Sequence, residues 1–238
     1  MNHIIIIGGN GQLGQCLQSI TSRSEQSFNY IFLSSAELNI TDSAQMQGVF
    51  ERLKPVYCIN CAAYTAVDQA EDDQANAFAI NRDAVKGLAE ICLAYDTTLL
   101  HISTDFVFDG ASSKPLVETD ACAPINVYGQ SKYEGEQAIA NILQKHFIIR
   151  TSWLYSEKAN NFCKTMIKLA QSKTQLQVIY DQVGTPTYAM DLARCIVHII
   201  HSAIPAYGIY HYSNEGVASW YDFSKAIFEF AEIEMEVI

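Results

Sequence analysis

Short apolar runs alternate with helical patterns along the first two thirds of the chain. Five runs predict buried strands, at residues 3–7, 30–33, 56–59, 98–102 and 147–149. Between residues 73 and 95, apolar side chains instead recur every three or four positions, as in an amphipathic helix; they are Ala77, Ile80, Ala84, Leu88 and Ile91. Strands that alternate with helices predict a parallel sheet covered by helices on both faces.

The pattern becomes less regular after Trp153. It predicts helices at residues 162–171, 190–202 and 220–231, strands at 176–179 and 208–212, and a turn at 184–187. We expect several of these elements to form a small lobe over the C-terminal edge of the sheet. The predicted fold class is therefore α/β, a doubly wound parallel sheet with a small C-terminal lobe.

A glycine-rich turn follows the first predicted strand and opens a helix. Gly8, Gly11 and Gly14 form the pattern G-x-x-G-x-x-G, which encloses Gln12 and Leu13. Glycines let the backbone approach a pyrophosphate, and the helix N-terminus supplies oriented N–H donors. The alternative is a tight turn in another α/β protein, but the position directly after a buried strand favours a dinucleotide site. These five residues are predicted cofactor contacts in a Rossmann-type sheet.

Two later turns extend this prediction along the cofactor. The second predicted strand is followed by Ser34 and Ser35, without the acidic residue that would bind a ribose 2′-hydroxyl, which favours NADPH and also allows NADH. Asp42 either lies near the adenine or caps the next helix. The small residues Ala62 and Ala63, with Tyr64, follow the third strand and suit a chain segment that passes beside the cofactor.

Three side chains form a candidate reaction centre. Tyr128 and Lys132 are four residues apart, so on a helix they lie one turn apart on the same face. A neighbouring ammonium favours the phenolate of a tyrosine, whose unperturbed pKa is ~10, and thereby suits it to general acid catalysis of carbonyl reduction. Thr104 follows the fourth strand, at the sheet edge where ligands bind. A threonine there is otherwise an ordinary turn residue.

Composition and charge narrow the class of protein. The 238 residues carry a net charge of -11, with 15 basic and 26 acidic residues, so nucleic acids and anionic membranes are poor partners. The chain starts without a basic segment, and its first apolar run is short, so we expect a cytoplasmic protein. The seven cysteines fit reduced thiols. Cys58 and Cys61 form C-x-x-C, but on a strand they point to opposite faces.

The assembled motifs resemble the extended short-chain dehydrogenase/reductase family, in its branch of dTDP-sugar reductases, nearly from end to end. The glycine turn and the Tyr-x-x-x-Lys pair identify only the superfamily. The more specific blocks are NCAAYTAVD at residues 60–68, STDFVFDG at 103–110, RTSW at 150–153 and DQVGTPTY at 181–188.

The resemblance implies reduction of the C4 ketone of dTDP-4-dehydro-6-deoxy-L-mannose to dTDP-L-rhamnose by NAD(P)H. Tyr128 would donate the proton, Lys132 would lower its pKa and hold the nicotinamide ribose, and Thr104 would bind the substrate oxygen. Asp105 and Trp153 resemble sugar contacts, although Trp153 also suits core packing. Residues 1–152 would form the NAD(P)-binding domain, and residues 153–238 would contribute to the sheet and the substrate lobe.

The chain departs from the family pattern in three places. Phe106 stands where a tyrosine is common, which removes a hydroxyl. The family continues beyond residue 238, so we expect an incomplete substrate lobe and weakened dTDP binding. Some relatives dimerise through a metal held by carboxylates, but the matching region here has Gln15 and Met190. We therefore expect no metal, and a monomer or weak homodimer.

Two alternatives stay open at this point. The family also resembles the non-catalytic β subunit of methionine adenosyltransferase, so a regulatory subunit that only binds a cofactor is one of them. The other is a sugar-nucleotide epimerase or dehydratase. Dehydration needs a further acid/base pair, whereas Thr104 is followed by Asp105 alone rather than by an Asp-Glu pair.

Overall fold

A six-stranded parallel sheet forms the centre of the protein. The computed structural model describes residues 2–22 and 28–238. The strands of the sheet are β1 (Asn2–Ile7), β2 (Phe28–Leu33), β3 (Tyr57–Asn60), β4 (Thr98–Thr104), β5 (His146–Thr151) and β10 (Gly208–His211). Their order is β10-β5-β4-β3-β1-β2, so the chain reverses its direction of winding between β1 and β3. This confirms the predicted Rossmann-type doubly wound sheet, and it places a ligand-binding crevice at the reversal.

The remaining elements are helices and short strands. The helices are α1 (Gln12–Thr21), α2 (Ser43–Leu53), α3 (Val67–Asp72), α4 (Gln74–Phe78), α5 (Ala84–Ala94), α6 (Val127–Ile142), α7 (Phe162–Ala170), α8 (Ala189–Ser202) and α9 (Trp220–Phe230). The short strands are β6 (Leu154–Tyr155), β7 (Gln175–Leu176), β8 (Val183–Gly184), β9 (Thr187–Tyr188), β11 (Ala218–Ser219) and β12 (Glu236–Val237). The pattern of apolar residues did not predict α3.

Helices cover both faces of the sheet, which explains the unbroken apolar runs of its strands. In β1, Ile5 and Ile7 belong to the core formed with α2, α5 and α6. Ile4 and Ile6 belong to the core formed with α1 and α8 on the opposite face. Successive side chains of a strand point to opposite faces, so a strand buried on both sides must be apolar at every position.

The helix predicted at residues 73–95 is interrupted by one π-helical turn. The segment comprises α4, a π-helical turn at Ala79–Asp83, and α5. Asn81 lies in that turn and is fully buried. Its amide bonds both backbone groups of Tyr64, accepting at 2.9 Å and donating at 3.0 Å, and donates to Ser131 Oγ at 3.0 Å. The π turn is therefore the place where this helix binds the turn after β3 and the reaction helix α6.

The C-terminal elements form the predicted small lobe and also return to the sheet. The lobe packs α7 and α9 around Met166, Leu176, Ile227, Phe228 and Val237. The strand predicted at residues 176–179 is wrong in extent, because β12 pairs only with Gln175 and Leu176. From the same part of the chain, β10 joins the main sheet beside β5. Within the described residues, no helix is long and apolar enough to cross a membrane.

Candidate functional site

One cavity of about 700 Å³ runs along the C-terminal edge of the sheet. Its walls bring together most of the residues predicted from the sequence. They are Gly8, Gly11, Gln12, Leu13, Ala62, Ala63, Thr104, Asp105, Tyr128, Lys132 and Trp153. The glycine turn and the reaction centre therefore share one space, although they come from distant parts of the chain.

The glycine turn forms a cradle that side chains would fill. Gly8 has φ +78°, and a Cβ there would lie 2.8 Å from the backbone nitrogen of Ala62. A Cβ at Gly14 would lie 2.5 Å from Gly8 O, so this glycine packs α1 against the turn rather than lining the cavity. No side chain caps the N-terminus of α1, and no acidic residue lies in its first turn. Its N–H groups are therefore suited to bind a pyrophosphate.

After β2 the cavity wall contains Ser35, one of the two serines expected at the adenosine ribose. It also contains Leu38, Asn39 and Ile40, which the sequence did not predict as contacts. Ser34 instead donates from its backbone and hydroxyl to Glu37 Oε2, at 2.9 and 2.7 Å. These bonds hold the pKa of Glu37 below its ordinary value. Asp42 accepts from the backbone of Gln45 at 3.0 Å as the N-cap of α2.

Neither Ser34 nor Asp42 is a wall residue of this cavity, and the same holds for Tyr64. Their predicted roles as cofactor contacts therefore stay predictions.

Thr151 adds an independent sign of a ligand. Its Oγ1 is buried in the cavity wall, and within the described part of the chain it has no hydrogen-bond partner. An unpaired buried hydroxyl and an open glycine cradle both fit a polar ligand such as a dinucleotide.

Tyr128 is placed by the start of α6, where Asn126 caps the helix by accepting from Gly129 N at 2.7 Å. Gly129 lets the helix approach the 3-10 turn at Asp105–Val107, since a Cβ there would lie 2.1 Å from Phe106 O. Burial raises the pKa of Tyr128 to about 12; a hydrogen bond with Thr104 lowers it, and the charge of Asp105 raises it. Tyr128 is therefore a neutral phenol in this structure, which is the form that can donate a proton.

The Lys132 ammonium is bound by the backbone of β4. It is buried and donates to Ile102 O at 2.6 Å, and it is not among the groups that shift the pKa of Tyr128. Burial lowers the pKa of Lys132 to about 8, against the opposing charges of Glu136 and Cys61. The structure thus brings the amine into the wall of the same cavity as the phenol, and its predicted effect on Tyr128 stays a prediction.

A buried ion pair lies one helical turn beyond Lys132. Arg150 Nη2 and Glu136 Oε2 are 2.7 Å apart, and both side chains are almost fully buried. Ser103 donates to the same carboxylate, which ties the end of β4 to α6. Arg150 also donates to Cys122 Sγ at 3.1 Å. The only signals in the sequence are the spacing of four residues between Lys132 and Glu136 and the arginine at the end of a strand.

The substrate end of the cavity carries a carboxyl group and an aromatic wall. Thr104 Oγ1 donates to Asp105 Oδ1 at 3.0 Å, and burial raises the pKa of Asp105. Trp153 lines the same cavity and stacks on Trp220, with ring centroids 3.5 Å apart and planes at 8°. A ketone bound between these groups would lie among a hydroxyl, a phenol and a flat apolar face.

The cysteines form neither a disulfide nor a metal cluster in the part of the chain that the structure describes. All seven are free thiols. As predicted, the C-x-x-C pair divides between the two faces of the sheet, because Cys58 belongs to one core and Cys61 packs against the other. Burial raises the pKa of Cys61 to about 12. Across residues 2–22 and 28–238, no three His, Cys, Asp or Glu side chains are grouped as metal ligands would be. The absence of a metal stays a prediction.

Comparison with known proteins agrees with this geometry. The family model described as RmlD substrate binding domain matches residues 1–238. The dTDP-4-dehydrorhamnose reductase of Aggregatibacter actinomycetemcomitans is 41% identical over 233 residues, which cover 96% of this chain and 79% of that protein. The dTDP-4-keto-6-deoxy-D-glucose reductase of Streptomyces niveus is 35% identical over 225 residues, covering 94% and 77%.

A solved structure is similar over the whole chain. The dTDP-4-dehydrorhamnose reductase of Bacillus anthracis, crystallised in complex with NADP, superimposes with a TM-score of 0.95 at 41% identity. The match covers 100% of this chain and 84% of that structure.

Proposed function

This chain belongs to the RmlD substrate binding domain family, and we propose that it reduces the C4 ketone of dTDP-4-dehydro-6-deoxy-L-mannose to dTDP-L-rhamnose with NADPH. The observation that carries this proposal is the shared cavity, whose walls include both the glycine turn and the three residues Thr104, Tyr128 and Lys132. The chain is thus an NAD(P)H-dependent sugar-nucleotide oxidoreductase, like the relatives that it matches.

The cofactor half of the reaction rests on residues 1–152. NADPH, when bound, supplies the hydride. The N-terminus of α1, with Gly8, Gly11, Gln12 and Leu13, would hold its pyrophosphate. Ala62 and Ala63 would pass beside it, and the unpaired hydroxyl of Thr151 would accept or donate one hydrogen bond. Ser35 leaves room near the adenosine for a 2′-phosphate.

The proton half rests on Tyr128. Its phenol, with a pKa of about 12, keeps its proton at neutral pH until negative charge develops on the C4 oxygen. Thr104 would bind the same oxygen and hold it within reach of the phenol. Lys132 would bind the nicotinamide ribose from the opposite side. The contribution of these side chains is therefore position and electrostatics, fixed before the substrate enters.

Residues 153–238 would supply most of the sugar site, with Trp153 as the apolar wall and Asp105 as a polar contact from the cofactor half. A second candidate substrate is dTDP-4-keto-6-deoxy-D-glucose, because one relative is named for its reduction. Both ketones need the same proton donor, so the choice between them depends on the sugar wall alone.

We also propose that the protein is cytoplasmic and that it is a monomer or weak homodimer. Size-exclusion chromatography at several concentrations would test the oligomeric state.

The deciding experiment mixes the purified chain with NADPH and each keto-sugar nucleotide, and follows the loss of absorbance of the reduced nicotinamide. Turnover of dTDP-4-dehydro-6-deoxy-L-mannose supports the proposed reaction, and faster turnover of the D-sugar supports the second candidate. NADPH binding without turnover of either would favour the regulatory subunit. Interconversion of sugar nucleotides with no net loss of NADPH would favour an epimerase.

A further inference from the structure

Trp153 occupies a backbone conformation that bulky residues rarely adopt. Its φ is +46°, in the left-handed region, and it forms a bend two residues after Thr151, the last residue of β5. A tryptophan has no intrinsic preference for this conformation, so contacts elsewhere in the fold must maintain it. The backbone is fixed on both sides of the bend: Thr187 N donates to Trp153 O at 3.2 Å, and Ser152 Oγ donates to Thr185 O at 2.7 Å.

The indole ring of Trp153 is held by the face of a second tryptophan. The centroids of the Trp153 and Trp220 rings lie 3.5 Å apart, and the ring planes are nearly parallel. Trp220 is the first residue of α9, where Ser219 and Asp222 form a reciprocal capping box. Its Nε1 donates to Gln182 Oε1 at 3.3 Å, and the Phe162 ring lies 4.5 Å away. Trp220 is thus itself fixed in place, yet it does not line the cavity.

Gly184 lies against the edge of the same indole ring. A Cβ at this position would lie 2.6 Å from Cε2 of Trp153, so a side chain larger than hydrogen would displace the ring. Gly184 pairs with Ala218 across the β8–β11 ladder, immediately before the residues that cap α9. The ladder therefore carries the glycine and the stacking partner together.

We propose that Trp220 and Gly184 are positioning residues that fix the Trp153 indole as the sugar-stacking wall of the cavity. The inference rests on the proposed function, because it takes the hexose of a dTDP-sugar as the group that packs on Trp153. A preset aromatic face binds the apolar side of a sugar ring without first losing rotamer freedom. Trp220 and Gly184 determine the affinity for the sugar through Trp153 and make no contact with the reacting atoms.

A spectroscopic signature follows from the composition of the chain. The sequence contains two tryptophans, and they are the two stacked residues. Coupling between two close indole rings gives an exciton couplet in the circular dichroism spectrum when their transition dipoles are skewed, and no other indole obscures it here. The wild-type chain should show this couplet in the absence of substrate. Gly184→Ala keeps both tryptophans and should reduce the couplet, because it moves the Trp153 ring.

Steady-state kinetics then connect the signature with binding. For Gly184→Ala and Trp220→Leu we expect the KM for the keto-sugar to rise about tenfold, with kcat and NADPH affinity nearly unchanged, because the binding that is lost is equal in the ground state and the transition state. Trp220→Phe, which retains a ring, should restore part of the affinity. Phe230→Leu is the matched control on α9; that ring is exposed, so KM should stay at the wild-type value.

Two outcomes would overturn the inference. One is an indole circular dichroism spectrum that both Gly184→Ala and Trp220→Phe leave unchanged. The other is an unchanged KM in Gly184→Ala when its couplet is lost. If the wild-type chain turns over no keto-sugar, the proposed function fails instead. The couplet needs no substrate, so it still decides whether Gly184 and Trp220 hold the ring.

Discussion

His101 Nε2 lies 3.3 Å from Lys132 Nζ, and Asn60 fixes the imidazole proton on the nitrogen that faces the lysine. Asn60 Oδ1 accepts from Ala62 N at 3.1 Å, so its amide nitrogen is the atom 3.0 Å from His101 Nδ1. An amide nitrogen only donates, so Nδ1 accepts and Nε2 carries the hydrogen. A hydrogen aimed at the amine disfavours the ammonium, in the same direction as burial.

This contact predicts a pH dependence of stability that belongs to Lys132. Its pKa is lowered from 10.5 to about 8 on folding, so the unfolded chain binds the proton more tightly between these two pH values. Relative to Lys132→Met, the wild-type free energy of unfolding should rise by on the order of 3 kcal/mol from pH 8 to pH 10.5, and stay level below pH 8. Urea titrations of both chains over this range would measure the difference. A constant difference would contradict the prediction.

The same contact predicts a permanently neutral imidazole. Burial, and then the charge of Lys132, hold the pKa of His101 well below its ordinary value. Nuclear magnetic resonance of the ring nitrogens should therefore show the Nε2–H tautomer with no titration down to pH 5, where an exposed histidine is protonated. Lys132→Met removes the charge and should bring the pKa of His101 closer to ordinary. An Nδ1–H signal from His101 would contradict the prediction.

Replacement of Tyr128 separates chemistry from binding. Tyr128→Phe removes the proton donor and keeps the ring that packs edge-on against Phe106, with centroids 5.5 Å apart. We expect kcat to fall by about 10²–10⁴-fold, the usual contribution of a general acid, with NADPH binding retained. Stopped-flow reduction and a cofactor binding titration would measure the two quantities. Tyr133→Phe on the same helix is the matched control, and turnover retained in Tyr128→Phe would assign the proton donor elsewhere.

The preference for NADPH should reverse at Ser35. This residue lines the cavity two positions after Leu33, the last residue of β2. In Ser35→Asp, a carboxylate would repel a 2′-phosphate and accept from a 2′-hydroxyl, so we expect NADPH affinity to fall at least about tenfold while NADH affinity rises. Ser34→Asp is the control, because Ser34 is turned towards Glu37. Equal losses for both cofactors would show that Ser35 does not contact the ribose.

The Arg150–Glu136 pair should be strongly coupled in stability. Removing either partner leaves a buried charge alone, so Glu136→Met and Arg150→Met should each cost about 3–5 kcal/mol of unfolding free energy. The double variant removes both charges and should cost less than either single one. Urea denaturation of the four chains completes the cycle. A double variant whose loss equals the sum of the single losses would show that the pair does not act as a unit.

Patterns within a few residues predicted most of the fold. Each of the five runs became a strand of the sheet because burial on both faces favours apolar side chains at most positions, and a glycine turn directly after such a strand favours a dinucleotide site. Tyr128 and Lys132 were predictable because both lie on one helix. Their partners were harder to predict. His101 looks like an ordinary strand residue in the sequence, and only the fold shows that the buried amine of Lys132 lies beside it.

Contacts that join distant segments left no local pattern. The stack of Trp153 on Trp220 spans two separate parts of the chain, and neither tryptophan has a neighbour that indicates the other. The π turn at Asn81 is set by hydrogen bonds to the Tyr64 backbone, which the helical spacing of apolar residues does not encode. Likewise the length of β7 depends on how many residues of β12 reach it.

The position of β10 has a consequence for synthesis of the protein. This strand pairs with β5 along its outer edge, yet residues 208–211 leave the ribosome long after residues 146–151. During that interval β5 pairs with β4 on one side only, so the nascent sheet exposes an apolar edge, the kind of edge that recruits other chains. Slow translation between these two segments would therefore prolong exposure of β5, and a chaperone that binds extended apolar segments would have its target there.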